Sequence, residues 1–177
     1  MTIMVLELEA PHEQGFSALW SLWPTFFAYV LSYAYIAIYW VNHHRLFTHA
    51  RVVTGELMWS NIALLFALSF LPFSTAYVGR HLTSSSAAAL YLVTLLSASM
   101  AYFWLQRVIA RTGDQSKEAQ TYYSASMRKA LAAGIVYGLG IPLSFVSSGI
   151  GLSLAGLVAA FWIAPWGPLD RLFLRRT

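Results

Sequence analysis

Residues 57–79 read Leu57-Met-Trp-Ser-Asn-Ile-Ala-Leu-Leu-Phe-Ala-Leu-Ser-Phe-Leu-Pro-Phe-Ser-Thr-Ala-Tyr-Val-Gly79. This stretch contains no Lys, Arg, Asp or Glu. Because about 20 apolar residues at a rise of 1.5 Å each cross the hydrocarbon core of a bilayer, this stretch predicts a membrane-spanning helix. Four further stretches share its length and its lack of charge, at residues 16–42, 85–106, 130–147 and 150–169. The sequence therefore predicts a polytopic, all-α membrane protein.

Composition supports the same class. The chain is 58% hydrophobic and only 10% charged, whereas a soluble domain is roughly 25% charged. The basic residues lie beside the apolar stretches, as in membrane proteins, so the net charge of +4 does not indicate a nucleic-acid partner. Membrane lipids are the expected surroundings. The chain has no cysteine, which excludes disulfides and cysteine metal sites.

The basic residues also predict orientation. Of the 11 Lys and Arg residues, all but Arg80 fall in segments that lie on one side once the five stretches are threaded through a membrane. Residues 107–129 hold five of them, and the positive-inside rule places such segments in the cytoplasm. Residues 1–9 are apolar but reach only about half of a hydrocarbon core. Counting them as half a span gives a single domain over residues 1–177 with six helices and both termini cytoplasmic.

Aromatic residues and prolines add local detail. Several tryptophans and tyrosines lie near predicted span ends, as an interfacial belt requires, among them Trp23, Tyr39, Trp40 and Trp104. Pro72 removes a backbone hydrogen bond and predicts a kink in its helix. The spacing of Gly134 and Gly138 is typical of helix packing in membranes.

Candidate chemistry is sparse. His43, His44 and His49 cluster near the end of the stretch 16–42, and imidazole is a common metal ligand. Adjacent helical positions point about 100° apart, however, and the spans supply no carboxylate to complete a metal shell. Hydrogen bonding to neighbouring helices or to lipid headgroups is the alternative. The chain also lacks a phosphate-binding loop, a nucleophile with a base and a Thr-Val-Gly-Tyr-Gly type carbonyl filter, so an enzyme and a cofactor are not expected.

Three motifs carry a resemblance to a known family. They are Thr2-Ile-Met-Val-Leu-Glu-Leu-Glu9 followed by Ala10-Pro11, then Tyr39-Trp-Val-Asn-His-His-Arg-Leu-Phe47, then Ser69-Phe-Leu-Pro-Phe-Ser-Thr75. In this order the chain resembles, over nearly its whole length, the prokaryotic members of the transmembrane protein 175 family of lysosomal-type potassium channels. The resemblance implies a homotetrameric, potassium-selective channel in the bacterial inner membrane, with K⁺ as the permeant ion and the four first helices lining the pore.

The same resemblance assigns candidate site residues. By match, Thr2 is the pore threonine, Ile3 the next pore-lining position and Leu6 the outermost one. An apolar ring of this kind gates by dewetting, and a ring of threonine hydroxyls replaces part of the hydration shell of an ion. His43 and His44 correspond to a region that, in the family, joins a polar network with an Arg and an Asp of the first helix. Taken without the resemblance, Ile3 and Leu6 are expected to face lipid or a neighbouring helix.

The sequence departs from the family at its start. The family carries Arg-x-x-x-Phe-Ser-Asp and a first pore-lining isoleucine in the part of the first helix that would lie before Met1. We expect a start codon assigned too late, a shortened expressed chain or a naturally short variant. An in-frame Arg-x-x-x-Phe-Ser-Asp upstream of Met1 would identify the first case. Two alternatives to a channel stay open: an accessory or structural membrane subunit without its own pore, and a membrane enzyme using the histidine cluster.

Overall fold

The structure is a computed structural model that describes Trp20 and residues 22–163. These residues form six helices and belong to the all-α class that the sequence predicts. The helices are α1 (Trp23–Phe47), α2 (Gly55–Ser69), α3 (Leu71–Arg80), α4 (Ser85–Thr112), α5 (Lys117–Ser144) and α6 (Ser148–Ile163). The predicted half-span at residues 1–9 lies outside the described residues.

Among the described residues, three helical rods are long and apolar enough to cross a membrane: α1, the run of α2 and α3 over Gly55–Arg80, and α4. Helix α6 is apolar but shorter, at 16 residues. Helix α5 is 28 residues long and starts with a polar turn at Lys117. The chain is a multi-pass membrane protein.

Helix α2 gives way to α3 at Phe70, two residues before Pro72. Pro72 occupies the first turn of α3, where a missing backbone N–H costs nothing. Phe70 keeps helical backbone angles, and its N–H bonds to the carbonyl oxygens of Ala67 and Leu68 instead of continuing the regular pattern. The kink predicted from Pro72 is confirmed.

Helix α4 forms the centre of the bundle and packs most extensively on α5. Its inward positions are filled without interruption along its length. These side chains are each at most 2% exposed: Tyr91, Leu92, Leu95, Ala98, Tyr102, Leu105 and Ile109. Within the part of the chain that the structure describes, this packing leaves no broad channel beside α4.

The polar segments between the spans contain more helix than their composition suggests. The polar segment 107–129 is mostly helix, because α4 continues to Thr112 and α5 begins at Lys117. Only four residues link them. Ser116 caps α5 by accepting a hydrogen bond from the N–H of Ala119 at 3.3 Å, and Thr54 caps α2 in the same way. A helix can continue beyond its membrane span. The drop in hydropathy along the sequence therefore indicates where the span leaves the bilayer and not where the helix ends.

Two sequence-based expectations about individual residues differ from the structure. Tyr39 is not part of an interfacial belt, because it is only 8% exposed within the core, whereas Trp40 beside it is 65% exposed. Of the pair Gly134 and Gly138, only Gly134 faces a neighbouring helix within the chain, because a Cβ atom there would lie 3.7 Å from Ser99 Oγ on α4. A Cβ atom at Gly138 would meet nothing within 4 Å, while one at Gly79 would lie 2.9 Å from the Cα of Thr25. Helices α1 and α3 therefore make a close backbone contact.

Candidate functional site

A groove of about 840 Å³ separates α1 from the kinked rod of α2 and α3. Its walls are mainly apolar and aromatic, with Ile36 and Trp40 on one side and Leu65 and Phe73 on the other. Polar side chains stand at its two ends, His43 on α1 and Arg80 at the end of α3. The α1–α3 crossing at Gly79 holds one end of the groove closed, and the kink at Phe70 bends its far wall.

His43 connects α1 to α2 at one end of the groove. Its Nε2 lies 2.8 Å from the Oδ1 of Asn61, which assigns the ring proton to Nε2 if that oxygen accepts. The imidazole also stacks on Trp40, with ring centres 6.4 Å apart, and contacts Phe47 at 4.4 Å. These contacts fix both the position and the plane of the His43 ring.

The neighbouring histidines do not join it. His44 is exposed on another side of α1, and His49 packs on Tyr122 and Tyr123, with ring centres 5.0 and 5.6 Å away. Among residues 22–163, no three His, Asp or Glu side chains are placed to share a metal ion. The geometry separates the three histidines into different surroundings.

The segment Ser69–Thr75 is joined to α1 and α4 through hydroxyl groups. Thr75 Oγ1 lies 2.5 Å from Ser32 Oγ and 2.6 Å from the carbonyl oxygen of Leu71, and Ser32 Oγ lies 2.8 Å from the hydroxyl of Tyr91. Each hydroxyl carries one proton. Thr75 is the donor in both of its contacts and shares its one proton between Ser32 Oγ and the carbonyl oxygen of Leu71, whereas either hydroxyl can donate in the contact between Ser32 and Tyr91. This chain ties α1, α3 and α4 together next to the kink.

The linker after α1 and the linker before α5 are also joined. Arg51 Nη2 lies 2.8 Å from Asp114 Oδ1, and the N–H of Asp114 donates to the carbonyl oxygen of His49 at 2.9 Å. Hydrogen bonds from Ser116 and the nearby Arg51 guanidinium lower the pKa of Asp114 from its usual 3.8. These contacts hold the linker after α1 against the linker before α5.

Of the site residues that the sequence predicts, Thr2, Ile3 and Leu6 lie outside the described residues. Their roles stay predictions, as does a shared network for His43 and His44. The sequence analysis missed Asn61 as the partner of His43. A polar residue inside an uncharged span is a signal for such a contact, but spacing alone does not say which helix it faces.

Comparisons with known proteins agree with this architecture. The model of the family described as endosomal/lysosomal potassium channel TMEM175 matches residues 1–72. A potassium channel of Chryseobacterium sp. (strain P1-3) is 37% identical over 166 residues, which is 93% of this chain and 85% of the relative. This chain belongs to the TMEM175 family. A potassium channel of Streptomyces collinus is 31% identical over 173 residues, covering 92% of this chain and 84% of that protein.

The fold matches a solved member of the family. The crystal structure of a lysosomal potassium-selective channel TMEM175 homolog from Chamaesiphon minutus superposes with a TM-score of 0.79 at 26% identity. The match covers 91% of this chain and 87% of that chain. The arrangement of α1 to α6 is therefore that of the TMEM175 channel fold.

Proposed function

We propose that the chain is the subunit of a potassium-selective cation channel whose conduction path lies between subunits. The observation that carries this proposal is the packed interior of the bundle. The inward side chains of α4 from Tyr91 to Ile109 are at most 2% exposed, and a hydrated ion cannot pass through such packing. Together with membership of a potassium channel family, this packing supports a path that runs along the outside of the bundle.

Potassium is the proposed permeant ion because the relatives from Chryseobacterium and Streptomyces are both named potassium channels. We propose no cofactor and no enzymatic activity. The direct test is flux into proteoliposomes containing the purified chain, under a K⁺ gradient and then an Na⁺ gradient. K⁺ flux above that of empty liposomes, and above Na⁺ flux, is expected. If neither this chain nor one extended by its upstream in-frame codons conducts, the accessory-subunit alternative replaces the channel.

We propose that selectivity arises at a constriction formed by Thr2, Ile3 and Leu6 and not at a carbonyl filter. Thr2 and Leu6 are four residues apart, so in a helix they share one face, and Ile3 lies three residues before Leu6. A dry apolar ring resists ions until it widens, and a hydroxyl ring replaces water around a K⁺ ion. Residues 1–9 offer both groups within one helical turn.

Two substitutions test the constriction in the flux assay. Leu6→Ala should widen the ring, raise flux and weaken the preference for K⁺ over Na⁺. Thr2→Val keeps the shape of the side chain but deletes the hydroxyl, so it should reduce that preference with little change in assembly. Leu8→Ala is the control, because Leu8 lies about 200° around a helix from Leu6. Unchanged flux and selectivity in both test variants would show that this segment does not line the pore.

We propose that four copies assemble around the path. The groove between α1 and the α2–α3 rod supports this, because its apolar walls suit contact with a neighbouring copy or with the N-terminal segment. Native mass spectrometry from membranes should give a tetramer, and a monomer would contradict the proposal. Both termini and the segment 107–129 are proposed to face the cytoplasm of a bacterial inner membrane. A single Cys at Gln115 should therefore resist impermeant labelling from outside intact cells.

We propose that His43 acts through its contact with Asn61, as part of the polar network at the cytoplasmic end of α1. Its ring is fixed by Trp40 and Phe47. His43→Ala and Asn61→Ala should change flux by similar factors, and the double variant should add little, because both remove the same bond. His44→Ala is the control for an exposed neighbour. A fully additive double variant would contradict a role through this bond.

A further inference from the structure

A lysine is buried inside the bundle on α5. Lys129 is 3% exposed. The carbonyl oxygen of the next residue, Ala130, accepts a hydrogen bond from Ser99, which lies near the middle of α4. Lys129 is therefore at the depth of the uncharged stretch 85–106 and not at the end of the bundle. Charged side chains at such a depth are rare, and they contact an opposite charge or backbone carbonyl groups.

Two aromatic rings of α6 form part of the surroundings of this lysine. The Nζ atom of Lys129 lies 5.3 Å from the centre of the Phe161 ring and 5.9 Å from that of Trp162. Aromatic faces attract a cation, but they carry no net charge and so do not neutralise it. Helix α6 ends at Ile163, directly after these two rings. The chain that follows α6 therefore starts beside the ammonium group.

The carboxylates of residues 22–163 lie in other places. Asp114 contacts an arginine in the linker after α1, at 2.8 Å. Glu56 lies 4.0 Å from an arginine at the end of α4. Glu118 is on α5 itself, but eleven residues before Lys129, which is about 16 Å along a helix. A carboxylate for Lys129 must therefore come from a residue outside these ranges.

The sequence after α6 supplies one such carboxylate. Residues 130–169 contain no Lys, Arg, Asp or Glu, and Asp170 is the first charged residue after Lys129. It is also the sole acidic residue in the segment 164–177, which lies outside the described residues. Asp170 follows the end of α6 by seven residues, which reach up to about 23 Å when extended. The pair Gly167-Pro168 is a signal for a turn, which allows this short segment to return towards α5.

We infer that Asp170 is the counter-ion of Lys129, and that this ion pair fastens the segment after α6 against α5 and α6. The two residues that bracket the uncharged stretch 130–169 then meet, and the aromatic rings of α6 cover the ammonium on another side. Removing one partner of a buried ion pair leaves the other charge uncompensated. The role of Asp170 should therefore depend on the presence of Lys129.

A cycle of variants tests this dependence by thermal unfolding of the full chain in lipid nanodiscs. Asp170→Asn should lower the melting temperature by several degrees in the natural chain. In a Lys129→Met background the same substitution should leave the melting temperature unchanged. Lys117→Met is the matched control, because Lys117 is an exposed lysine on the same helix. Asp170→Asn should keep its full effect there. Equal falls in the natural and Lys129→Met backgrounds would overturn the inference.

A crosslink in the natural sequence tests the contact itself. Dicyclohexylcarbodiimide enters membranes and activates carboxyl groups, and an adjacent lysine amine then forms an amide with release of the urea. The chain has only two lysines, Lys117 and Lys129, so mass spectrometry reads the product without ambiguity. A peptide that joins Asp170 to Lys129 is expected. A link from Lys129 to a glutamate of residues 1–19, a link from Asp170 to Lys117 or no link from either residue would overturn the inference. If Lys129→Met does not fold, this crosslink decides alone.

Discussion

Helices α1 and α4 are both uncharged spans, yet they hold opposite positions in the bundle. Within the apolar stretch of each helix, 61% of the α4 residues are buried inside the chain, against 22% of those of α1. Helix α4 is surrounded, whereas α1 packs one face on the core and presents another to the groove. Apolar composition therefore selects the membrane but not the place of a helix within the bundle, because lipid tails and protein interiors are equally apolar.

The two faces of α1 differ in their polar groups as well. The core face carries Ser32, Tyr35 and Asn42, whose polar groups bond within the bundle. The groove face carries Trp40 and His43. The side chains of the core face hold the bundle together, and those of the groove face are placed to contact the molecule that fills the groove. Substitutions on one face at a time therefore test the difference between the two faces.

The largest effect is expected in the centre of α4. Leu95 is fully buried, so Leu95→Ala should leave a cavity and destabilise the fold by about 2 kcal/mol or more. This value lies at the low end of the destabilisation found for buried leucines in soluble proteins. The reason is that unfolding within a membrane does not move the leucine side chain into water. Thermal unfolding in detergent or nanodiscs measures this.

Two leucines sharpen the comparison. Leu139 on α5 is 61% exposed, and Leu139→Ala should change the free energy of unfolding by less than about 0.5 kcal/mol. Leu65 lines the groove and is 56% exposed. An effect of Leu65→Ala above that of Leu139→Ala would mean that the groove is covered in the assembled protein. Equal effects of Leu95→Ala and Leu139→Ala would contradict the central position of α4.

The next largest effect is expected at the contact between α1 and α3, which closes one end of the groove. A Cβ atom at Gly79 would lie 2.9 Å from the Cα of Thr25, so Gly79→Ala forces two backbones apart. Overpacking of this kind costs about 1–3 kcal/mol. Gly138→Ala is the matched control, because its Cβ meets nothing within 4 Å and alanine favours a helix over glycine by about 1 kcal/mol. Thermal unfolding should show a loss for the first and none for the second.

Much of this architecture could be predicted from sequence. The uncharged runs identified the spans, and Pro72 identified the kink that the structure places at Phe70. Tyr39 was misplaced because its position near a span end is compatible with either an interface or a core. Hydropathy does not report which side of a helix faces its neighbours, and only the packing against Tyr102, at 5.7 Å between ring centres, settles the matter.

The candidate site was harder to predict than the fold. The partnership of His43 with Asn61 joins residues 18 positions apart on different helices, and no spacing rule links them. The hydroxyl chain from Tyr91 through Ser32 to Thr75 spans three helices. Such contacts depend on how the helices cross, which follows from packing at Gly79 and at the kink. The assignments of Thr2, Ile3 and Leu6 rest on the family resemblance.

A smaller effect is expected in that hydroxyl chain. Thr75 and Thr94 are similarly buried, at 5% and 7% exposed, and each bonds the carbonyl oxygen four residues earlier. Thr75 alone also contacts Ser32. Thr75→Val should therefore cost about 0.6 kcal/mol, the average for a hydrogen bond between membrane helices. Thr94→Val should cost less in the same unfolding assay. A larger loss for Thr94→Val would contradict the role given to Ser32.

The smallest effect is expected at the two linkers that Arg51 and Asp114 join. The side chain of Asp114 is 25% exposed, and hydrogen bonds from Ser116 together with the charge of Arg51 lower its pKa below 3.8. A carboxyl group whose pKa is lowered by folding stabilises the fold while it is charged, so this contribution is complete above about pH 4 and is lost as pH falls through the lowered pKa. Stability should therefore not depend on Asp114 titration between pH 7 and pH 5.

Asp114→Asn should remove a small contribution that is constant across that range, and Glu118→Gln provides a control at an acidic residue four positions on. If the difference between Asp114→Asn and the natural chain instead shrank between pH 7 and pH 5, the carboxyl would be titrating at a raised pKa, and the contacts with Ser116 and Arg51 would not be those that hold the linkers together.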